Sequence, residues 1–219
     1  MFLSYTRNKL TLAASISGGI IAMLVYFCAG ITGFCMMAAF FIMAILATAY
    51  KKSEKKKTST EHPEKRNARQ VWANGGLAGL AGAISFFIDN KFIFPLVIAC
   101  VFSSAAADTI SSELGMVKGK KFINILTFQP DQKGLDGVIS MEGCLWGLAA
   151  SMLIGWIYYL GFSSLSNFFI IILAGTIGNL SDSLMGAVWE RKGWMGNDAV
   201  NLMNTIIAAI AGLILFLFF

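Results

Sequence analysis

Seven long apolar runs constrain this chain more than any other feature. A helix needs roughly 20 apolar residues to cross the hydrocarbon layer of a bilayer. Runs of that order occupy residues 10–30, 31–50, 71–88, 92–114, 140–161, 167–187 and 199–219. In lipid a spanning segment must satisfy its own backbone polar groups, which leaves only helices and closed barrels. The runs are continuous rather than alternating, so they do not read as barrel strands. The fold class expected is all-α, a polytopic membrane bundle of about seven helices forming a single integral-membrane domain over residues 1–219. Composition agrees: 57% of the residues are hydrophobic and 13% charged, about half the charge of a soluble domain. The first two runs are separated by little more than Gly30-Ile31-Thr32-Gly33, which reads as a tight helical hairpin.

Arg7 and Lys9 precede the first run, as basic residues precede a signal peptide. That run is longer than a usual signal-peptide core, and a second apolar run follows at once with no polar mature start. Cys28 and Cys35 follow bulky Phe27 and Phe34, which argues against lipid attachment. All four cysteines (Cys28, Cys35, Cys100 and Cys144) lie in apolar runs without CxxC spacing. They read as inert packing residues.

Seven spans place the N-terminus and the 51–70, 115–139 and 188–198 loops on one side of the membrane. That side holds sixteen of the 17 Lys and Arg residues, leaving Lys91 on the other. Basic loops stay in the cytoplasm, so the N-terminus is expected there and the C-terminus outside. The net charge of +5 is therefore explained by topology and by attraction to anionic headgroups, not by nucleic-acid binding. His62, the single histidine, sits in the basic 51–70 loop and cannot by itself build a metal site or a catalytic triad.

The acids carry a sharper signal. Of twelve Asp and Glu residues only Asp89 falls on the far side. Ionisable residues within spans are costly and point to function. The fourth span ends with Asp108, Thr109, Ser112 and Glu113, and helical periodicity puts Asp108 and Ser112 on one face. The sixth contains Asn179, Asp182, Ser183 and Gly186, where Asp182-Ser183 echoes Asp108-Thr109. Gly134-Leu135-Asp136-Gly137 leads into Ser140 at the start of the fifth span. Glycines let a backbone approach phosphate, and a helix N-terminus attracts anions. Asn197, Asp198, Asn201 and Asn204 open the last span, and Arg66, Gln70 and Asn74 lead into the third.

Carboxylates mixed with amides and hydroxyls form a hard-oxygen donor set, suited to Mg²⁺ rather than zinc. Arg66, Lys118, Lys120 and Lys121 are the cations placed to hold polyphosphate. The chain has no GxxxxGK[ST] motif, so any nucleotide site is of another kind. Metal, phosphate and lipid together point to phosphoryl or nucleotidyl transfer onto a membrane-embedded substrate.

Five ordered segments resemble a known family. They are Arg66-x3-Gln70-Val71-x-Ala73-Asn74-Gly75-Gly76, Ala107-Asp108-Thr109-x2-Ser112-Glu113-x-Gly115, Gly134-x-Asp136-Gly137-x2-Ser140, Asp182-Ser183-Leu184-x-Gly186-Ala187 and Asn197-x2-Val200-Asn201. The chain is similar through them to the integral-membrane domain-of-unknown-function family 92, which includes transmembrane protein 19 and the phytyl-phosphate kinase of vitamin E synthesis. It departs from the family pattern at Ile110, Val138 and Asp198.

The resemblance implies Mg²⁺-dependent transfer of a phosphoryl group from CTP to an isoprenyl (phytyl-like) monophosphate, giving the diphosphate. It implies catalytic and metal roles for Asp108, Glu113 and Asp182, with Asp198 a further metal ligand. Substrate and phosphate would be held by Arg66, Gln70, Asn74, Ser112, Lys118, Lys121, Asp136, Gly137, Ser140, Asn179, Ser183, Asn197 and Asn201, with the active site facing the cytoplasm. A CTP:lipid-phosphate cytidylyltransferase needs the same ingredients and stays open as the alternative. A transporter is disfavoured, because the outer halves of the spans hold few polar groups beyond Asp89, Asn90, Lys91 and scattered Ser.

Overall fold

The computed structural model describes residues 10–55, 65–88 and 92–218. Asp89, Asn90, Lys91 and His62 fall outside them. The chain folds as a helical bundle: α1 (Leu12–Ala49), α2 (Lys52–Lys55), α3 (Ala68–Ile84), α4 (Ile93–Lys118), α5 (Met141–Phe162), α6 (Leu165–Met185) and α7 (Asn197–Phe218). A π-helical turn, Gly186–Glu190, extends α6. Two two-residue strands, β1 (Ile123–Asn124) and β2 (Val138–Ile139), pair antiparallel in the α4–α5 loop. The all-α expectation holds apart from this short clip, which is too brief to leave a periodic sequence signal.

Five helices are long and apolar enough to cross a membrane: α1, α4, α5, α6 with its π-turn, and α7. At 38 residues α1 would extend about 57 Å if straight, far beyond one hydrocarbon layer. It folds back instead. Gly30 has φ 59° and ψ −150°, a conformation that disfavours any residue with a Cβ. A Cβ on Gly33 would lie 3.1 Å from the Val25 carbonyl oxygen, although a straight helix separates residues eight apart by about 12 Å. The result is two arms, 12–29 and 31–49, as the hairpin reading expects. With the 17-residue α3, seven helical segments occupy the places of the seven apolar runs.

The caps explain where several helices begin. Thr11 accepts from the Ala14 amide, Ser140 from Gly143 and Ser164 from Asn167. Asn67 and Gln70 form a reciprocal capping box on α3, with both bonds at 3.0 Å. Such caps satisfy amides that a helix start leaves without partners.

The buried centre of the bundle is α4, from Pro95 to Ala107, which packs against α1, α3, α5, α6 and α7. Small residues set the depth of these contacts. A Cβ on Gly143 would come 2.8 Å from the Ser111 carbonyl oxygen, so α5 lies directly on the α4 backbone. A Cβ on Gly178 would come 2.9 Å from the Ser104 Cβ, so α6 lies as close on another side. Ser104 and Gly178 are each one turn before an aspartate, Asp108 and Asp182. Close approach at the small pair therefore brings the two acids together.

Candidate functional site

One end of the bundle opens into a cavity of about 890 Å³. Its wall comes from the end of α1, the start of α3, the ends of α4 and α6, the starts of α5 and α7, and the α4–α5 loop. At its floor the carboxyl groups of Asp108 and Asp182 lie side by side, close enough to act directly on each other. Two carboxylates in contact repel unless a proton or cation lies between them. Asp182 also accepts from Asn204 Nδ2 at 3.2 Å. The Oδ1 of Asn204 accepts in turn from the Ser104 hydroxyl. Beside them, Ser111 donates to Asn179 Oδ1 at 2.9 Å. The charges of Asp136 and Glu190 act on the same pair from the loop and the π-turn.

The opposite wall is basic. Lys55 Nζ donates to Glu113 Oε2 at 2.5 Å, to the Ala47 carbonyl at 2.7 Å and to the Thr48 carbonyl at 3.1 Å. It thus closes the C-terminal end of α1, where exposed carbonyls favour a cation. Thr48 donates to the other Glu113 oxygen at 2.8 Å. Arg66, held beside α1 by a backbone bond from Thr11, lines the cavity between α1 and α3. Desolvation lowers the pKa of its guanidinium, and the charges of Glu113 and Asp108 act to raise it.

The loop wall is fixed to the helices. Gly137 has φ 72°, and its backbone lies so close to Ala187 that no side chain fits there. Arg191 donates from Nε to the Asp136 carbonyl at 2.7 Å and from a terminal nitrogen to Asp131 at 2.8 Å. Hydrogen bonds from Arg191, Asn124 and the Gln132 amide hold the Asp131 carboxyl down to about 2.

The cavity brings together Asp108, Glu113, Asp182, Arg66, Gln70, Asn74, Ser112, Asp136, Gly137, Ser140, Asn179, Ser183, Asn197 and Asn201. Lys118, Lys121 and Asp198 are not among its lining residues. Lys118 ends α4 with its ammonium 5.6 Å from the centre of the Tyr50 ring, and Lys121 is exposed in the loop. Asp198 follows Asn197 by one residue, and the 100° helical step turns it off the face that Asn197 and Asn201 share. Among the described residues no three Asp, Glu, His or Cys side chains form one metal-holding group. Glu113 is engaged by Lys55, so the Asp108–Asp182 pair stands without it. Gln70 spends its side-chain oxygen on the cap of α3.

Sequence reasoning passed over Thr48, Lys55, Ser104, Ser111 and Glu190 as site residues, and named Asn204 at the start of the last span without giving it a site role. Lys55 belongs to a run of topogenic lysines, and Thr48 to an apolar span. Asn204 follows Asn201 by nearly one turn, the spacing that brought it into the polar stripe of the last span.

The profile of the family described as Integral membrane protein DUF92 matches residues 1–209. The chain belongs to this family. An uncharacterized membrane protein of Methanocaldococcus jannaschii, MJ0933, is 36% identical over 213 residues, covering 95% of this chain and 85% of that protein. Protein VTE6, chloroplastic, of Arabidopsis thaliana is 29% identical over 198 residues, 85% of this chain and 59% of the plant protein. Protein PGR of the same plant is 28% identical over 241 aligned positions, covering 96% and 83% of the two chains. No solved structure matches. As a DUF92 protein the chain is an integral membrane protein, in agreement with its apolar helices.

Proposed function

We propose that this DUF92 protein is a membrane-embedded kinase that transfers a phosphoryl group from CTP to a prenyl monophosphate at the cytoplasmic membrane surface. The observation that carries the reading is the Asp108–Asp182 carboxyl pair at the floor of a cavity whose facing wall holds Arg66. The family resemblance supplies the substrate class. An oxygen of the acceptor phosphate attacks the γ-phosphorus of CTP, the bond from that phosphorus to the β-bridging oxygen breaks, and CDP leaves. The acceptor oxygen is already anionic, so the step needs no strong general base, in keeping with the absence of histidine among the described lining residues.

The protein's task in such a transfer is positioning and charge stabilisation. Arg66 binds phosphate across from the acids. The N-terminus of α5, with Ser140 and Gly143 on the cavity wall, turns backbone amides toward an anion. Asn74 and Asn201, both buried, orient the phosphoryl oxygens. The paired carboxylates fit a hard divalent cation such as Mg²⁺, because a cation between them offsets their repulsion. Bound there, Mg²⁺ would neutralise charge on the transferring phosphoryl group.

The test is incubation of the purified protein with Mg²⁺, a panel of prenyl monophosphates and CTP or ATP, followed by product masses. Prenyl diphosphate and CDP are expected. Pyrophosphate with a CDP-linked lipid would replace the kinase by the cytidylyltransferase.

A further inference from the structure

Four large apolar side chains stand exposed where the α4–α5 loop meets the end of α6: Leu126, Phe128, Trp189 and Trp194. Phe128 is 72% exposed and Trp194 70%. The loop is built to present them. Asn124 Oδ1 accepts from the Leu126 amide at 2.9 Å and from the Thr127 amide at 3.3 Å. The Phe128 amide donates to the Asn124 carbonyl at 2.9 Å. This turn holds Phe128 at φ 54°, a conformation that disfavours a residue with a Cβ. Asp131 ties the turn to α6, because its carboxylate accepts from Asn124 at 3.1 Å and from Arg191 at 2.8 Å. Trp189 lies in the π-turn, and the Trp194 amide donates to its carbonyl at 3.0 Å. The four apolar residues therefore share one corner at the cavity end of the bundle.

Cations flank this corner. Lys120, Lys121 and Lys192 are exposed, and the Lys192 ammonium lies 4.9 Å from the centre of the Trp194 ring. Residues 126–130 carry no carboxylate, and Asp131 is engaged by Arg191. An exposed apolar patch marks an interaction surface. Here the spanning helices α4 and α6 end beside it, and indole rings with basic neighbours at the end of a span match the headgroup layer. We propose that this corner docks on the bilayer surface at the cavity end. Leu126, Phe128, Trp189 and Trp194 sit among the headgroups, with Lys121 and Lys192 on anionic lipid. The loop wall of the cavity hangs from the same turn, because the Ile125 amide donates to the Gly137 carbonyl at 3.0 Å. Anionic lipid thereby steadies the wall that carries Asp136 and Gly137, whatever reaction the cavity performs.

The test uses the full-length protein in nanodiscs of phosphatidylcholine, with and without phosphatidylglycerol. With the native cysteines replaced by Ala, Phe128→Cys carries the environment-sensitive fluorophore NBD. Ser53→Cys, exposed among charged residues at the same end, is the reference. NBD on Phe128→Cys should emit at shorter wavelength than on Ser53→Cys, and lipids with a nitroxide near the headgroup should quench it. Trp194→Cys, on the neighbouring loop, should report the same environment, which keeps the outcome readable if the turn at Phe128→Cys loosens. Each lysine near an anionic surface strengthens association about fivefold, so nitroxide-labelled phosphatidylglycerol should quench severalfold more than nitroxide-labelled phosphatidylcholine at equal content. Lys121→Gln combined with Lys192→Gln should remove most of that excess.

Emission from Phe128→Cys and Trp194→Cys equal to that from Ser53→Cys overturns the proposal. So does a blue shift without nitroxide quenching, which would assign the corner to a second copy of the chain or to another protein. Equal quenching by the two labelled lipids, or an excess that survives in the double lysine variant, overturns the anionic-lipid assignment. None of these outcomes depends on turnover, so the kinase reading stands or falls separately on its product masses.

Discussion

Asn204 donates from Nδ2 to the Asp182 carboxylate, 3.2 Å away, from a position with no solvent exposure. The Ser104 hydroxyl donates to its oxygen, which leaves the amide nitrogen for the carboxylate. The orientation of Asp182 toward Asp108 is thus set one layer below the cavity floor. Partners that orient a ligating carboxylate typically matter by 10- to 100-fold. Asn204→Leu should therefore lower kcat by about that factor. The same variant leaves the Ser104 hydroxyl without its acceptor, at about 1–3 kcal/mol of stability. Turnover compared at a temperature where thermal melts show both proteins folded separates the two effects.

Asp108→Asn keeps the side chain's size and removes a charge. If the Asp108–Asp182 pair holds a cation, activity should fall by roughly 10²-fold or more, on the order of 3 kcal/mol of transition-state stabilisation. Asp89→Asn, at the acid which the charge count puts on the far side, is the matched control and should change turnover little. Normal turnover in Asp108→Asn at saturating Mg²⁺ and CTP would remove the metal role. Equal losses in both variants would indicate a folding defect.

Lys55 is buried and Glu113 mostly so, with side-chain exposures of 7% and 14%. Removing one partner of such a pair leaves an uncompensated charge, at about 3–5 kcal/mol. Lys55→Met should lower the melting temperature sharply, and Glu113→Gln less, because a neutral amide still accepts from the ammonium. The double variant Lys55→Met, Glu113→Gln should recover part of the loss in a thermal melt. A double variant no more stable than Lys55→Met would show that the carbonyls of Ala47 and Thr48 dominate the role of Lys55.

The bundle was legible in the sequence because lipid leaves few options: run length, the glycines near residue 30 and the distribution of lysines suffice. Much of the site was legible for the same reason, since a polar residue inside a span is expensive. Asp108, Asp182, Asn179 and Asn201 stand out against their apolar neighbours. The misplacements fall where that background is missing. In the polar loops a lysine carries no mark of its partner, so Lys118 and Lys121 looked as suitable for phosphate as Arg66, and Lys55 was passed over. Helix phase at a boundary depends on the cap, and a one-residue difference separates Asn197 on the cavity wall from Asp198 off it. The π-turn at Gly186–Glu190 also shifts Glu190 from the loop where the sequence placed it.

Asp131 makes the loop sensitive to acid. Its carboxyl is held at about 2, against an ordinary value of 3.8, chiefly by Arg191. A depressed folded-state pKa contributes stability that is complete above the unfolded value and is lost as pH falls. The window is therefore from about pH 4 down to about pH 2. Amide hydrogen exchange across residues 119–140, corrected for the intrinsic pH dependence, should lose protection in that window. Asp131→Asn should reproduce the loss at neutral pH and abolish the acid step. Unaltered protection in the variant would assign the loop's order to Gly137 and Ala187 alone.

Orientation in the membrane is the remaining prediction. The backbone bond from Thr11 to Arg66 and the bonds from Lys55 to Ala47 and Glu113 gather the start and end of α1, the start of α3 and the end of α4 at one end of the bundle. The cavity opens at that same end. The basic loops of the sequence also belong there, and such loops are retained in the cytoplasm. A kinase drawing on soluble CTP needs its cavity on that side. With the native cysteines replaced by Ala, a single Cys at Ser53 and another at Ser166 should label from opposite faces, Ser53→Cys only after the membrane is opened to a cytoplasmic reagent. Both residues are exposed, so absence of labelling is not expected at either. Labelling of Ser53→Cys by an impermeant reagent applied outside intact cells would turn the cavity away from cytoplasmic nucleotide and would sink the kinase reading with it.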